Sequence, residues 1–196
     1  FRKRSMLLLF AQGFFGVFPW NVLTYWAFRY LETERGYTTG QATLAMAIAV
    51  LTLAVGYFVG GTLGDALFKR TRRGRMLVSL VAVLLGAGFL FLALNVPVGD
   101  TTTFIPLLAI TAFFMPFAAP NVTATVHDIT VPEVRSTALA VQYFIEQSGS
   151  ALAPLLAGMI AVRSSLQTAI LVISIGTWVL CGLILAATAI AVPHDI

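Results

Sequence analysis

Six predominantly apolar stretches, separated by short polar connections, constrain the fold more than any other feature of this chain. About 20 apolar residues cross the hydrocarbon core of a bilayer as a helix, and a backbone without internal hydrogen bonds is not tolerated there. We therefore predict six transmembrane helices. Their expected bounds are residues 5–30, 41–64, 75–95, 103–125, 136–161 and 166–192.

The composition supports a membrane protein and argues against a soluble one. Hydrophobic residues make up 59% of the chain and charged residues 10%, whereas soluble domains carry about 25% charged residues. A soluble fold this apolar would expose large apolar patches. The predicted fold class is all-α integral membrane, with residues 1–196 as a single six-helix domain and the lipid bilayer as its surroundings. Because the bases flank apolar segments, no nucleic-acid partner is expected.

The distribution of lysine and arginine predicts the orientation. Nine bases lie at one end of the predicted helices, within residues 2–4, residues 69–75 and at Arg135, and three lie at the other end. Cytoplasmic loops are rich in Lys and Arg, so both termini should be cytoplasmic, in a plasma or inner membrane. Since the chain begins with Phe1 rather than Met, we interpret it as a piece of a longer protein.

The connection after the second predicted helix carries the clearest motif. Gly56, Gly60 and Gly64 recur every four residues on one helix face, which favours close packing of a neighbouring helix. The basic loop that follows resembles the signature loop G-x-x-x-D-R-x-G-R-R of the major facilitator superfamily. The matching residues are Gly61, Asp65, Arg73, Gly74 and Arg75, and Ala66 stands where an Arg is usual.

A second motif extends this resemblance into the fifth predicted helix. The segment from Pro132 to Ala138, which contains Arg135, resembles the P-x-x-x-R-G-T-A segment of the same family. Downstream, Gly149, Pro154 and Gly158 are similar to a small-residue pattern of the family's antiporters, although small residues beside a proline serve any close helix contact.

The two halves of the chain resemble each other. Three phenylalanines, a proline and Asn21 in the first predicted helix match three phenylalanines, a proline and Asn121 in the fourth. The first group of three helices starts in the cytoplasm and the second starts outside, which predicts an inverted 3+3 repeat of residues 1–98 and 99–196. A chance match is the alternative. The resemblance implies the same architecture, because each six-helix half of a facilitator transporter is built this way.

Glu146 is the main candidate for a functional residue. It lies about ten residues into the fifth predicted helix, near the membrane midplane, where a charge costs at least ~2.5 kcal/mol on insertion scales. We expect it to face a water-filled cavity, to take up a proton, to bind a substrate or to pair with a base from elsewhere. Tyr143 and Gln147 fall on or beside its face. A neutral, hydrogen-bonded structural role is the alternative.

The first helix of each predicted repeat supplies a second set of candidates. Sequence alone shows polar residues near proline kinks. In the family, these helices line the central cavity, and this resemblance implies cavity positions for Gln12, Phe15, Trp20, Asn21, Phe114 and Asn121. Gln12 could equally hold two helices together.

The acid and bases of the signature loop are interpreted as a cytoplasmic gating motif, as the resemblance implies. Since an acid at a helix C-terminus is disfavoured by the dipole, Asp65 should have a partner such as Arg72, Arg135 or another helix's N-terminus. The alternative is that these charges only set topology. No catalytic group, metal site or cofactor is predicted, because no nucleophile–base pair, metal-ligand spacing or phosphate-binding loop occurs. The chain is therefore not expected to be an enzyme.

These observations together predict one six-helix half of a major facilitator transporter, the C-terminal half in preference to the N-terminal one. The expected function is secondary active transport of a small solute by alternating access, with protons as a candidate coupling ion. The other six-helix half of the same polypeptide would be its partner. A six-helix channel or a non-transporting membrane scaffold is the alternative.

Overall fold

The helices of the chain begin and end close to the positions that the apolar stretches predict. The structure, a computed structural model, describes residues 3–196, so Phe1 and Arg2, the first base of the N-terminal run, lie outside the described residues. Within residues 3–196, six segments are long and apolar enough to cross a membrane, which confirms the all-α membrane class. The helices are α1 (Arg4–Thr33), α2 (Thr39–Phe68), α3 (Gly74–Leu94), α4 (Thr101–Phe114), α5 (Ala118–Ile129), α6 (Arg135–Arg163) and α7 (Leu166–Asp195).

The fourth span is one membrane crossing made of two helices. A short 3₁₀ segment, Met115–Phe117, joins α4 to α5. Pro116 lies within this segment and Pro120 in the first turn of α5. Because proline lacks the backbone N–H and crowds the carbonyl four residues earlier, these two positions interrupt the regular α-helical hydrogen bonds. A second 3₁₀ segment, Pro132–Val134, leads into α6.

Three helices begin at the same end of the bundle with a side-chain cap. Thr38, Asp100 and Ser165 precede α2, α4 and α7, and each side chain accepts a hydrogen bond from the backbone N–H three residues later. Hydrogen bonds from Thr103 and Thr102 lower the pKa of the Asp100 carboxyl. Such caps satisfy N–H groups that the helix itself leaves without partners, and they fix where each span begins.

The glycine stripe of α2 packs directly on the fourth span. A Cβ atom at Gly56 would lie 2.0 Å from the carbonyl oxygen of Phe113. A Cβ at Gly64 would lie 1.7 Å from Oδ1 of Asn121, and one at Gly60 would lie 2.7 Å from Cα of Phe117. These distances are far below any van der Waals contact, so only glycine allows the two helices to approach this closely. The predicted close contact is confirmed.

A similar contact joins α1 to α6. A Cβ at Gly149 would lie 2.3 Å from the carbonyl oxygen of Phe14, and one at Gly158 would lie 3.1 Å from the ring of Trp26. The indole Nε1 of Trp26 donates a hydrogen bond to the carbonyl oxygen of Pro154 at 3.0 Å. The small-residue pattern of α6 therefore serves close packing against the first helix.

The remaining contacts involve α3 and α7. Helix α7 packs against α1 and α3, and α3 also packs against the fourth span. Their contact surfaces hold fully buried side chains such as Leu90 and Leu185. In contrast, α2 and α6 expose large apolar side chains, including Phe58 and Phe144, as expected of surfaces that face lipid or another protein.

Candidate functional site

A cavity of about 400 Å³ opens on the face of the bundle formed by α1, α2, α5 and α6. In the described part of the chain, its wall combines apolar side chains with six that carry a polar group, and none of these wall residues comes from α3 or α7. The six side chains with a polar group are Gln12, Trp20, Tyr57, Thr123, Tyr143 and Glu146. The volume lies within the range of small-molecule sites. Four of these six residues were predicted from the sequence: Gln12, Trp20, Tyr143 and Glu146.

Glu146 is the acidic residue of this wall. Its Oε1 accepts a hydrogen bond of 2.9 Å from Nε2 of Gln142, one helical turn earlier on α6. A Cβ added at Gly13 would lie 3.1 Å from both Cγ and Oε1 of Glu146, so the missing side chain of Gly13 makes room for the carboxyl. Glu146 makes no ion pair with a base among residues 3–196.

Gln12 lies on the α1 wall of the same cavity and is only 5% exposed. Its amide lies close to Gly16, where an added Cβ would be 2.7 Å from Nε2. Its backbone carbonyl accepts a weak hydrogen bond of 3.7 Å from the thiol of Cys181, which is buried on α7. Within the described residues, no side-chain hydrogen bond links Gln12 to another helix, so the geometry favours the cavity interpretation over interhelical contact.

Three predicted cavity residues lie away from this wall. Asn21 binds Ser150 across the α1–α6 contact, and Asn121 is 1% exposed between α5 and α2. Gln147 is exposed on α6, one position beyond Glu146 and therefore about 100° around the helix. The phenylalanines Phe15 and Phe114 pack in aromatic clusters instead. None of these five residues lies on the wall of this cavity, because a polar or aromatic residue near a kink can equally point into a helix contact. Their role in binding a substrate stays a prediction.

Arg75 joins two acids at the end of the bundle that holds the basic loop. Its Nε and Nη2 contact Oδ1 of Asp65 at 2.9 and 2.8 Å, and its Nη1 contacts Oδ2 of Asp128 on α5. The guanidinium also lies 4.1 Å from the centre of the Phe68 ring. One base in the first turn of α3 therefore connects the ends of α2, α3 and α5.

Asp65 has a partner, as expected, but this partner is not one of those that the sequence suggested. Arg75 takes the place that the sequence left to Arg72, Arg135 or a helix N-terminus. Arg135 instead donates from Nε to the carbonyl oxygen of His127 at 3.1 Å, which closes the connection between α5 and α6. The ten-residue separation of Asp65 and Arg75 did not predict their pairing. Two side chains so spaced across a turn meet only when that turn is tight.

The glycine before Arg75 provides that tight turn. A Cβ at Gly74 would lie 2.4 Å from the backbone of Leu67, so the start of α3 packs directly on the end of α2. Gly61 is less constrained, since a Cβ there would make an ordinary 3.4 Å contact with Pro120. Arg73 is exposed and precedes the first residue of α3. The predicted gating residues therefore do not form a single contact.

Sequence reasoning missed four residues of these two sites. Tyr57 and Thr123 line the cavity, but neither stands out within an apolar helix. Gln142 could have been found, because residues four apart share a helix face and it precedes Glu146 by four. Asp128 had a signal as well, since it ends a helix on the same side of the membrane as Arg75.

The fold and the two sites describe a helical membrane protein with a side cavity that reaches the middle of its helices. Residues 8–195 match the family model of the Major Facilitator Superfamily, and the chain belongs to this superfamily. The resemblance proposed from the signature loop is thus confirmed. The superfamily consists of transporters, in agreement with the prediction that the chain is not an enzyme.

A curated relative gives a more distant comparison. The chain is 31% identical over 116 residues to the protein named probable sulfoacetate transporter SauU from Cupriavidus necator. The aligned segment is 58% of this chain and 26% of that relative. The relative is therefore more than twice as long as this chain of 196 residues.

Proposed function

We propose that this chain is one six-helix half of a transporter that moves a small solute across a membrane by alternating access. The observation that carries the proposal is the cavity between α1, α2, α5 and α6, with a carboxyl on its wall halfway along α6. Superfamily membership and the transporter relative support it. In such proteins two halves rock around a site near the bilayer midplane.

The missing wall of the cavity would come from the other half of the same polypeptide. The cavity opens on one side of the bundle, and α3 and α7 close the opposite side. A second bundle against the open face would enclose the site. We propose the C-terminal half for this chain, because the N-terminal basic run would then end the central cytoplasmic loop. The internal repeats would be residues 1–98 and 99–196.

Both termini are proposed to lie in the cytoplasm, with the chain in a plasma or inner membrane. Lys3 donates to the carbonyl oxygens of Ile129 and Asp195 at 2.9 and 2.6 Å, so this base lies beside the ends of α5 and α7. The loop of residues 69–75 and Arg135 share that end of the bundle. Lys- and Arg-rich ends face the cytoplasm.

We do not propose the substrate of the curated relative for this cavity. Sulfoacetate carries a sulfonate and a carboxylate, both negative at neutral pH. The described wall of the cavity contains Glu146 and no lysine, arginine or histidine. The ionised form of Glu146 would repel such a dianion, and this wall offers no basic side chain to bind it.

Proton coupling through Glu146 is the second part of the proposal. A carboxyl within a membrane span can take up a proton on one side of the membrane and release it on the other. The described wall contains no histidine, and Glu146 carries its one carboxyl. Glu146 is therefore the residue of this wall suited to carry the proton.

The test is solute-dependent proton flux in proteoliposomes that contain the full-length protein. A trapped pH dye would report internal pH while a panel of small solutes, including sulfoacetate, is added under a proton gradient. Saturable flux that Glu146→Gln abolishes supports a proton-coupled carrier. A large conductance without counter-transport would identify a channel instead, and no flux with any solute would favour a scaffold.

A further inference from the structure

The chemistry of the cavity wall points to a class of ligand. One carboxyl, three aromatic side chains and no base lie on the described wall. We propose that this cavity binds an organic cation, an ammonium group carrying apolar or aromatic substituents, with its charge against Glu146. This inference rests on the proposed transport function and adds the substrate class.

The carboxyl of Glu146 is held so that one oxygen remains for a ligand. Gln142, which is 2% exposed, donates to Oε1, and Gly13 packs against the same oxygen. Oε2 has no hydrogen-bond partner among residues 3–196. A half-buried carboxylate is costly unless a positive charge approaches it. A bound cation would supply that charge.

The aromatic side chains of the wall suit the substituents and the positive charge. Trp20, Tyr57 and Tyr143 are 42%, 47% and 50% exposed, so their rings are accessible from the cavity side of three different helices. A cation over the face of an aromatic ring is attracted by the ring quadrupole, most strongly for tryptophan. The volume of about 400 Å³ accommodates an ammonium with one aromatic substituent.

The experiment measures equilibrium binding of radiolabelled benzyltrimethylammonium to the full-length protein in lipid nanodiscs. Displacement is compared for the unlabelled cation, for neutral N,N-dimethylbenzamide and for anionic benzenesulfonate, which share the aromatic ring. We expect saturable binding that only the cation displaces. Glu146→Gln, which keeps the shape and removes the charge, should weaken binding at least about tenfold.

A second set of variants keeps the test informative if Glu146→Gln folds poorly. Tyr57→Leu and Tyr143→Leu should each weaken binding by about three- to tenfold, the range expected for one cation–π contact. Tyr25→Leu is the matched control, because Tyr25 is also an exposed aromatic residue but lies outside the cavity wall. Its affinity should equal that of the wild type.

Three results would overturn the inference: no saturable binding, equal displacement by N,N-dimethylbenzamide, or unchanged affinity in both Glu146→Gln and Tyr143→Leu. The first result would arise if a base from the other half already pairs with Glu146. Failure of the proposed function would look different, because distances between the two halves would then stay constant in spin-label measurements that need no ligand. Two distance states without cation binding would refute the inference and leave alternating access standing.

Discussion

Asn21 and Asn121 make the same pair of hydrogen bonds in the first and fourth spans. Each Nδ2 donates to the carbonyl oxygen four residues earlier on its own helix, at 2.8 Å in both cases. Each also reaches a second helix, Asn21 to Oγ of Ser150 at 2.9 Å and Asn121 to the carbonyl oxygen of Gly60 at 3.0 Å. The two asparagines thus fasten α1 to α6 and α5 to α2.

The close glycine contacts join the same two pairs of spans as the asparagine hydrogen bonds do. Helix α1 packs on α6 through Gly149, and the fourth span packs on α2 through Gly56, Gly60 and Gly64. If the first and fourth spans are equivalent, and the second and fifth, these two contacts are one contact seen twice. The pairing supports the proposed repeat of residues 1–98 and 99–196, since an inverted repeat requires such an exchange.

The asparagine contacts should contribute unequally to stability. Asn121→Ala should lower the free energy of unfolding by about 1–3 kcal/mol, because Asn121 is buried and its loss leaves the Gly60 carbonyl without this donor. Asn21→Ala should cost about 0.6 kcal/mol, the average for interhelical hydrogen bonds in a membrane protein. Asn95→Ala is the control, since Asn95 is exposed and bonds only its own helix. Unfolding in detergent measures all three, and equal losses would contradict this ranking.

The glycine contact between α2 and the fourth span predicts a sharp difference between two alanine variants. Gly56→Ala places a methyl group against the backbone of Phe113 and should destabilise the protein by about 1–3 kcal/mol through overpacking. Gly88→Ala is the control, because a Cβ there meets no atom within 4 Å. It should be neutral or stabilising by up to about 1 kcal/mol, the difference in helix propensity. If both variants show the same thermal denaturation midpoint, the helices do not approach as described.

In the ion cluster of Arg75, Asp65 and Asp128, loss of the base should destabilise the protein more than loss of the exposed acid Asp65. Arg75→Ala removes the contacts to both acids and to the Phe68 ring, and should cost about 1.5–3 kcal/mol. Asp65→Asn should cost less than about 1 kcal/mol, since the Asp65 side chain is 60% exposed and solvent screens its charge. Thermal denaturation at low and high salt would test this, and a larger loss for Asp65→Asn would show that the cluster is organised around the acid.

The number of helices, the bounds of the spans and the small residues at close helix contacts could be predicted from the sequence. Each of these features depends on local composition. Apolar length determines a span, and glycines at a spacing of four determine a close face. Glu146 was placed on the cavity for a similar reason, since the cost of a charge at the midplane does not depend on which helix is its neighbour.

Side-chain direction at the kinks could not be predicted in the same way. Asn121 and Gln12 are both polar residues in the first helix of a predicted repeat, yet one faces α2 and the other faces the cavity. The choice depends on how each helix is rotated about its axis, which the neighbouring helices decide. The Arg75–Asp65 pair depended on the tightness of the turn before Gly74, and this too is set by packing.

The orientation of the chain is tested by cysteine labelling. Single cysteines at Thr71, in the basic loop, and at Thr102, in the first turn of α4, lie at opposite ends of the bundle. In a background without other cysteines, a membrane-impermeant reagent should label Thr71→Cys only from the cytoplasmic side and Thr102→Cys only from outside. Labelling of both from one side of sealed vesicles would end the six-span arrangement.

Distance measurements between spin labels test alternating access and proton coupling most directly. One label would replace Thr71, and its partner would lie on the cytoplasmic end of the other half in the full-length protein. A label pair at Thr71 and Glu133, both within this chain, reports whether the six-helix half moves as a rigid body. We predict two distances between the halves whose proportions change with pH, loss of that change in Glu146→Gln, and a constant distance within the chain. A single distance between the halves at every pH, or the same pH response in Glu146→Gln, would contradict the account.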